Sequence, residues 1–126
     1  MREPVVLVVD DSPTVRKMVQ LTLQRENMRV IAASDGLGAL AAVADEDPDL
    51  ILLNILLPRM DGYRICRIIR DKMEFRHVPI ILVGEEDRFY DKDRGRFAGS
   101  SDYLTKPFDS VELVQAVKKH LGNAAG

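Results

Sequence analysis

Asp10 and Asp11 stand where the apolar run Val5–Val9 gives out, and an amide, Asn54, stands where a second apolar run, 50 to 53, gives out. Thr105, Lys106 and Pro107 follow a short run at 102 to 104. If these runs are neighbouring parallel strands, two acids, an amide and a lysine face one shallow cleft. Adjacent carboxylates in such a place can hold a divalent cation through oxygen ligands and retained waters, the preference of magnesium. Each residue also has a plain alternative. Asp10 and Asp11 suit the positive end of a following helix, Asn54 suits a turn, and Lys106 before a proline suits a solvated loop. Only the fold, by bringing the three places together or keeping them apart, decides between these readings.

The runs 5 to 9, 30 to 33, 50 to 53 and 80 to 83 are apolar without strict alternation, as expected of strands covered on both faces. The fifth, 102 to 104, is short and suits an edge. Helical patterns separate them. Ser12 and Pro13 read as an N-cap and first helical residue, with Val15, Met18, Val19 and Thr22 marking one face. Residues 36 to 46 are rich in alanine and leucine and stop before Pro48. "DGYRICRIIRDK" puts Ile65, Ile68 and Ile69 at helical spacing, and Asp109 with Glu112 forms a capping-box pattern ahead of Val111, Val114, Val117 and Leu121. The remaining helix falls in 85 to 99, a polar stretch interrupted by Gly95, and is expected to be short and exposed. This β-α order predicts a doubly wound α/β fold, a five-stranded parallel sheet with helices on both faces. In that architecture ligands and chemistry gather at the carboxyl ends of the strands, which are the positions of Asp10, Asp11, Asn54, Gly84 and Lys106.

The 126 residues fit one domain spanning 1–126, with residues 122–126 expected to fray. A formal net charge of −2 gives no basic footprint, which argues against sequence-independent nucleic-acid binding. The single Cys66 cannot form an internal disulfide, and the two isolated histidines, His77 and His120, do not make a zinc cluster. A reducing cytoplasm suits the chain, and no run approaches membrane-spanning length.

The stretches "VLVVDDSPTVRKM", "NILLPRMDGY" and "DYLTKPF" together resemble the receiver domain of bacterial response regulators, the CheY-like family of two-component signalling, over essentially the whole chain. The stretch 89 to 108 is also similar to cyanobacterial pilus-motility and phototaxis regulators. The resemblance implies a flavodoxin-like (β/α)5 fold with strand order 2-1-3-4-5, and no enzyme activity. It implies that Asp10 and Asp11 are the acidic pair, with Asp11 the direct magnesium ligand, and that Leu56 offers its carbonyl to the metal. It places Asn54 where the family has the aspartate that accepts phosphate from a histidine kinase. It places Gly84 at the threonine or serine position, Tyr103 at the aromatic switch and Lys106 at the phosphoryl-contacting lysine. By the same analogy, the Lys106–Pro107 bond is cis.

Two of these positions depart from the family pattern. Phosphoryl transfer needs an anionic oxygen nucleophile and a metal to neutralise charge. A neutral amide is a poor nucleophile, and it leaves the cleft one negative charge short, so magnesium is expected to bind weakly and no cofactor is required. Gly84 lacks the hydroxyl that the family pattern uses to contact the phosphoryl group. The implied function is phosphorylation-independent docking of a signalling protein or sensor kinase on the face formed by residues 85–121, or homodimerisation there. Lys106 is expected to pair with Asp11 and with the Asn54 oxygen, and Tyr103 to fill the space left at position 84. In the charged fourth segment of that face, Arg88, Arg94 and Arg96 lie near Phe89, Tyr90 and Phe97 in the sequence, a mixture common at partner surfaces. Two alternatives stand beside this reading. One is an ordinary receiver in which Asn54 was engineered from aspartate. The other is a nucleotide-binding protein using "GLGALA", a G-x-G-x-x-A pattern at Gly36, Gly38 and Ala41.

Overall fold

The computed structural model describes residues 2–85, 94 and 98–125, with side chains through residue 121. Five parallel strands, β1 (Val5–Val9), β2 (Arg29–Ala33), β3 (Leu50–Asn54), β4 (Ile80–Glu85) and β5 (Asp102–Lys106), form one sheet in the order β2-β1-β3-β4-β5. Among the described residues four α-helices cover it: α1 (Pro13–Gln24), α2 (Gly36–Glu46), α3 (Gly62–Arg70) and α4 (Ser110–Ala125). A 3-10 turn, Met73–Phe75, follows α3. This is the expected doubly wound, flavodoxin-like architecture. The helix expected within 85–99 lies outside the described residues apart from its edges and Arg94, as do Arg88, Arg96, Phe89, Tyr90 and Phe97.

The strands lack sequence alternation because both faces are buried. Leu7, Val9, Ile51, Leu53, Ile80 and Leu82 point into a core shared with α2 and α3. Their chain neighbours Val6, Val8, Leu50, Leu52, Ile81 and Val83 point into a second core shared with α1 and α4. Every second residue thus serves the opposite layer, as the pleat requires. The in-register pairs Val9–Leu53, Asn54–Val83 and Gly84–Thr105 bring the ends of β1, β3, β4 and β5 to one edge.

The helix starts follow the sequence signals. Ser12 Oγ accepts from the Val15 N–H at 3.3 Å, with Pro13 in the first turn. Asp109 and Glu112 cap reciprocally: the Glu112 N–H donates to Asp109 Oδ1 at 2.8 Å and the Asp109 N–H to Glu112 Oε1 at 3.3 Å. No helix among the described residues is long and apolar enough to cross a membrane.

Candidate functional site

The end of β1 delivers Asp10 into the protein and Asp11 onto its surface. Asp10 is 2% exposed, whereas Asp11 is exposed. A buried carboxylate needs partners, and Asp10 has them. Its Oδ1 accepts from the Ser12 N–H at 2.9 Å, and its Oδ2 accepts from Lys106 Nζ at 2.8 Å. Its backbone carbonyl accepts from the Arg16 guanidinium at 2.8 Å. The sequence-based expectation that Lys106 pairs with Asp11 is therefore corrected. Lys106 reaches across from β5 to the inward acid, because that carboxylate is shielded from water while Asp11 lies on the solvated turn. Lys106 is followed by a cis peptide bond to Pro107, as the resemblance implied.

Asn54 closes β3 and is 6% exposed. Its side chain does not bond Lys106 through oxygen as expected. Instead its Nδ2–H donates to the Leu56 carbonyl at 2.9 Å, a bond across two residues that folds the loop back over the amide. The loop is fixed further by Gly62, whose N–H donates to the Ile55 carbonyl at 2.7 Å. A Cβ on Gly62 would lie 2.5 Å from the Asn54 carbonyl oxygen, so only glycine lets α3 start this close to the site. The Leu56 side chain itself is 50% exposed.

At the end of β4, position 84 is filled from β5. Tyr103 Oη lies 2.8 Å from where a Cβ on Gly84 would stand, and Ile55 Cδ1 lies 3.3 Å from it. The Tyr103 hydroxyl donates to the Glu85 carbonyl at 2.8 Å, and the ring packs against the core shared with α2 and α3. The aromatic ring is turned inward into the space that glycine leaves.

Asp10, Asn54 and Lys106 thus converge at one strand-end edge, with Tyr103 and Gly84 beside them and Asp11 at the rim. The oxygens that a divalent cation would use are partly engaged in this arrangement, each keeping a second lone pair. Both oxygens of Asp10 and the Leu56 carbonyl already accept hydrogen bonds from the chain itself. Among the described residues no three His, Cys, Asp or Glu side chains cluster. An open hollow of about 600 Å³ lies beside Lys106, lined by Val15, Met18, Pro107 and Phe108, but it includes neither Asp10 nor Asn54.

The glycine pattern at 36 to 41 serves α2 rather than a phosphate. Asp35 is the helix cap, its Oδ1 accepting the Gly38 N–H at 2.7 Å, so the chain's own carboxylate sits where an anion would bind. Sequence reasoning missed Arg16 and Gly62. Arg16 sits six residues after the acid whose carbonyl it binds, a spacing set by the strand-to-helix turn. Gly62 is signalled only by following the helix cap Asp61, which accepts the Arg64 N–H at 2.9 Å.

Residues 6–118 match the profile of the response regulator receiver domain. Protein PilG of Pseudomonas aeruginosa is 42% identical over 116 residues, which cover 92% of this chain and 86% of that protein. The chemotaxis response regulator CheY4 of Vibrio cholerae superposes with a TM-score of 0.89 at 31% identity, over 94% of this chain and 99% of that one. The receiver domain of a Pseudomonas aeruginosa sensor histidine kinase, solved with magnesium coordinated in its active-site cleft, superposes with a TM-score of 0.86 at 32% identity, over 95% and 98% of the two chains.

Proposed function

This chain belongs to the response regulator receiver domain family, and from that premise we propose that it signals by docking on a partner without being phosphorylated. Receiver domains are signalling domains, not enzymes in themselves. The observation that carries the proposal is the Asn54 side chain, an amide whose N–H is spent on the Leu56 carbonyl. Asn54 is the phosphoacceptor-equivalent residue, and its neutral oxygen is a poor nucleophile toward phosphorus. The amide acts twice, because its N–H also engages one of the two lone pairs of the carbonyl that a metal would need. Asp10, Asp11 and Leu56 are then a vestigial metal set: magnesium binds weakly and is not required.

The rest of the switch is held in one state. Lys106 is paired with Asp10, and Tyr103 occupies the space beside Gly84 with its hydroxyl on Glu85. A switch needs two states that an input biases differently. With the acceptor and the moving parts fixed, the docking face assigned to residues 85–121 has no second state to adopt on phosphorylation. Its partner is a signalling protein or sensor kinase in the cytoplasm; a second copy of this chain is the lesser occupant. The Tyr103 packing also argues against an ordinary receiver carrying an engineered Asn54, because a change at position 54 alone leaves Gly84 and its filling unexplained.

Incubation with acetyl phosphate and magnesium, followed by intact mass, tests the proposal. The expected result is an unchanged mass. An added phosphoryl group that disappears in alkali would refute it. Asn54→Asp in parallel should gain that adduct, since Asp10, Asp11 and Lys106 remain.

A further inference from the structure

The helix α3 touches the Asn54 loop at one end and the approach to β5 at the other. Its first residue, Gly62, is seated on the loop through the Ile55 carbonyl. Near its other end Cys66 and Arg70, one turn apart on the same face, grip two consecutive carbonyls of the segment that leads into β5. The Cys66 thiol donates to the Ala98 carbonyl at 3.3 Å, and Arg70 Nε donates to the Gly99 carbonyl at 2.7 Å. The Arg70 guanidinium also reaches the Phe75 carbonyl at 2.9 Å and Ser101 Oγ at 3.3 Å. Ser101 Oγ in turn accepts the Ile80 N–H at 3.1 Å, and the Ser101 N–H donates to the Ile80 carbonyl at 2.8 Å.

Arg70 is therefore a half-buried cation satisfied by carbonyls and a hydroxyl, with no carboxylate paired to it among the described residues. A planar fork of five donors can span three segments at once, a reach that the three donors of an ammonium, all on one nitrogen, do not match. Gly99 is fitted to the arginine stem. Its φ is +89°, and a Cβ there would lie 2.7 Å from Arg70 Cγ.

We propose that Arg70 is a positioning residue: through it α3 straps the approach to β5 against the end of the 3-10 turn and so fixes the orientation in which β5 presents Tyr103. This rests on the reading of the 85–121 face as a constant docking surface and names what keeps it constant. The route does not pass through Lys106 or Asp10. It links the Asn54 loop to the docking face along the rigid body of α3.

Native-state hydrogen exchange on the full chain tests it, with Arg70→Gln, Arg70→Lys and Gly99→Ala as variants and the Tyr103 ring signals followed by NMR. Arg70→Gln should speed exchange at the Ser101 and β5 amides by about ten-fold or more while the amides of β1 and β2 keep their protection. The Tyr103 ring should pass from one conformation to exchange-broadened averaging. Arg70→Lys should recover only part of the protection, and Gly99→Ala, whose Cβ would stand 2.7 Å from Arg70 Cγ and 3.2 Å from Nε, should reproduce the loss by displacing an intact arginine. An equal loss in every strand of all three variants would overturn the proposal, since Arg70 would then add only global stability; so would unchanged β5 exchange and an unchanged Tyr103 ring. Phosphorylation of the natural chain by acetyl phosphate would defeat the docking reading, yet it would leave this exchange pattern untouched, so the two failures are separable.

Discussion

The strand ends around the cleft are built on opposite principles. From the flanking strands β1 and β5, Asp10 and Lys106 meet as a charged pair at 2.8 Å, with the acid 2% exposed, and form its charged side. On the central strands β3 and β4, the neutral side, Asn54 and Gly84 carry no charge, and the chain fills the space itself with a side-chain-to-backbone bond and the Tyr103 hydroxyl. The charged side persists because removing either member leaves a buried ion uncompensated. The neutral side has no such constraint. An amide and a glycine settle there at no electrostatic cost.

The largest expected effect lies on the charged side. Lys106→Met keeps the aliphatic stem but removes the ammonium, and should lower unfolding free energy by about 3 kcal/mol, read from urea midpoints. A loss under about 1 kcal/mol would mean that water already satisfies Asp10, and the contrast between the two sides would collapse. Asn54→Asp makes the neutral side charged. Without metal it should destabilise by about 1–2 kcal/mol, because a carboxylate cannot donate to the Leu56 carbonyl and adds a second anion near Asp10. Millimolar magnesium should reverse that loss in the variant and shift the natural chain little, as a thermal-denaturation titration would show.

A smaller effect is expected from Gly84→Ser, which puts a Cβ 2.8 Å from the Tyr103 oxygen and should turn the ring outward. The lost bond to Glu85 corresponds to about 1 kcal/mol, and the displaced ring should appear in its NMR signals. The smallest effect lies away from the cleft, where Asp102 at the start of β5 meets His120 of α4 at 2.9 Å. Burial alone would raise the Asp102 carboxyl, but the hydrogen bonds from His120 and the Tyr103 N–H, with the charges of His120 and Lys119, outweigh it and hold it below the usual carboxylate range. A depressed folded-state value contributes stability that is complete above the unfolded carboxylate range and lost as pH falls through the lowered value. His120→Ala should therefore flatten the acid limb of the stability profile slightly and leave the neutral-pH cleft unaffected.

Much of this was legible in the sequence because the strands announce themselves as short apolar runs and the helices by their caps. Ser12-Pro13 and the Asp109/Glu112 box both formed as expected, and the strand ends at Val9 and Asn54 placed the site. The pairing of Lys106 was misread because an Asp-Asp doublet does not say which acid turns inward. That is decided where the strand stops, a matter of one residue. The Asn54 bond to Leu56 was invisible for another reason: it depends on a loop that Gly62 pulls tight from α3, and no periodicity records it. The grip of Arg70 was equally hidden, since an arginine in a last helical turn ordinarily reads as a solvated charge at the dipole's negative end.

A crystal of the natural chain grown with magnesium and beryllofluoride tests the central claim most directly. The account predicts that Asn54 Nδ2 still donates to the Leu56 carbonyl and that Lys106 remains on Asp10, with no fluoride species at position 54. Metal bound to the Leu56 carbonyl beside a beryllofluoride on Asn54 would contradict it.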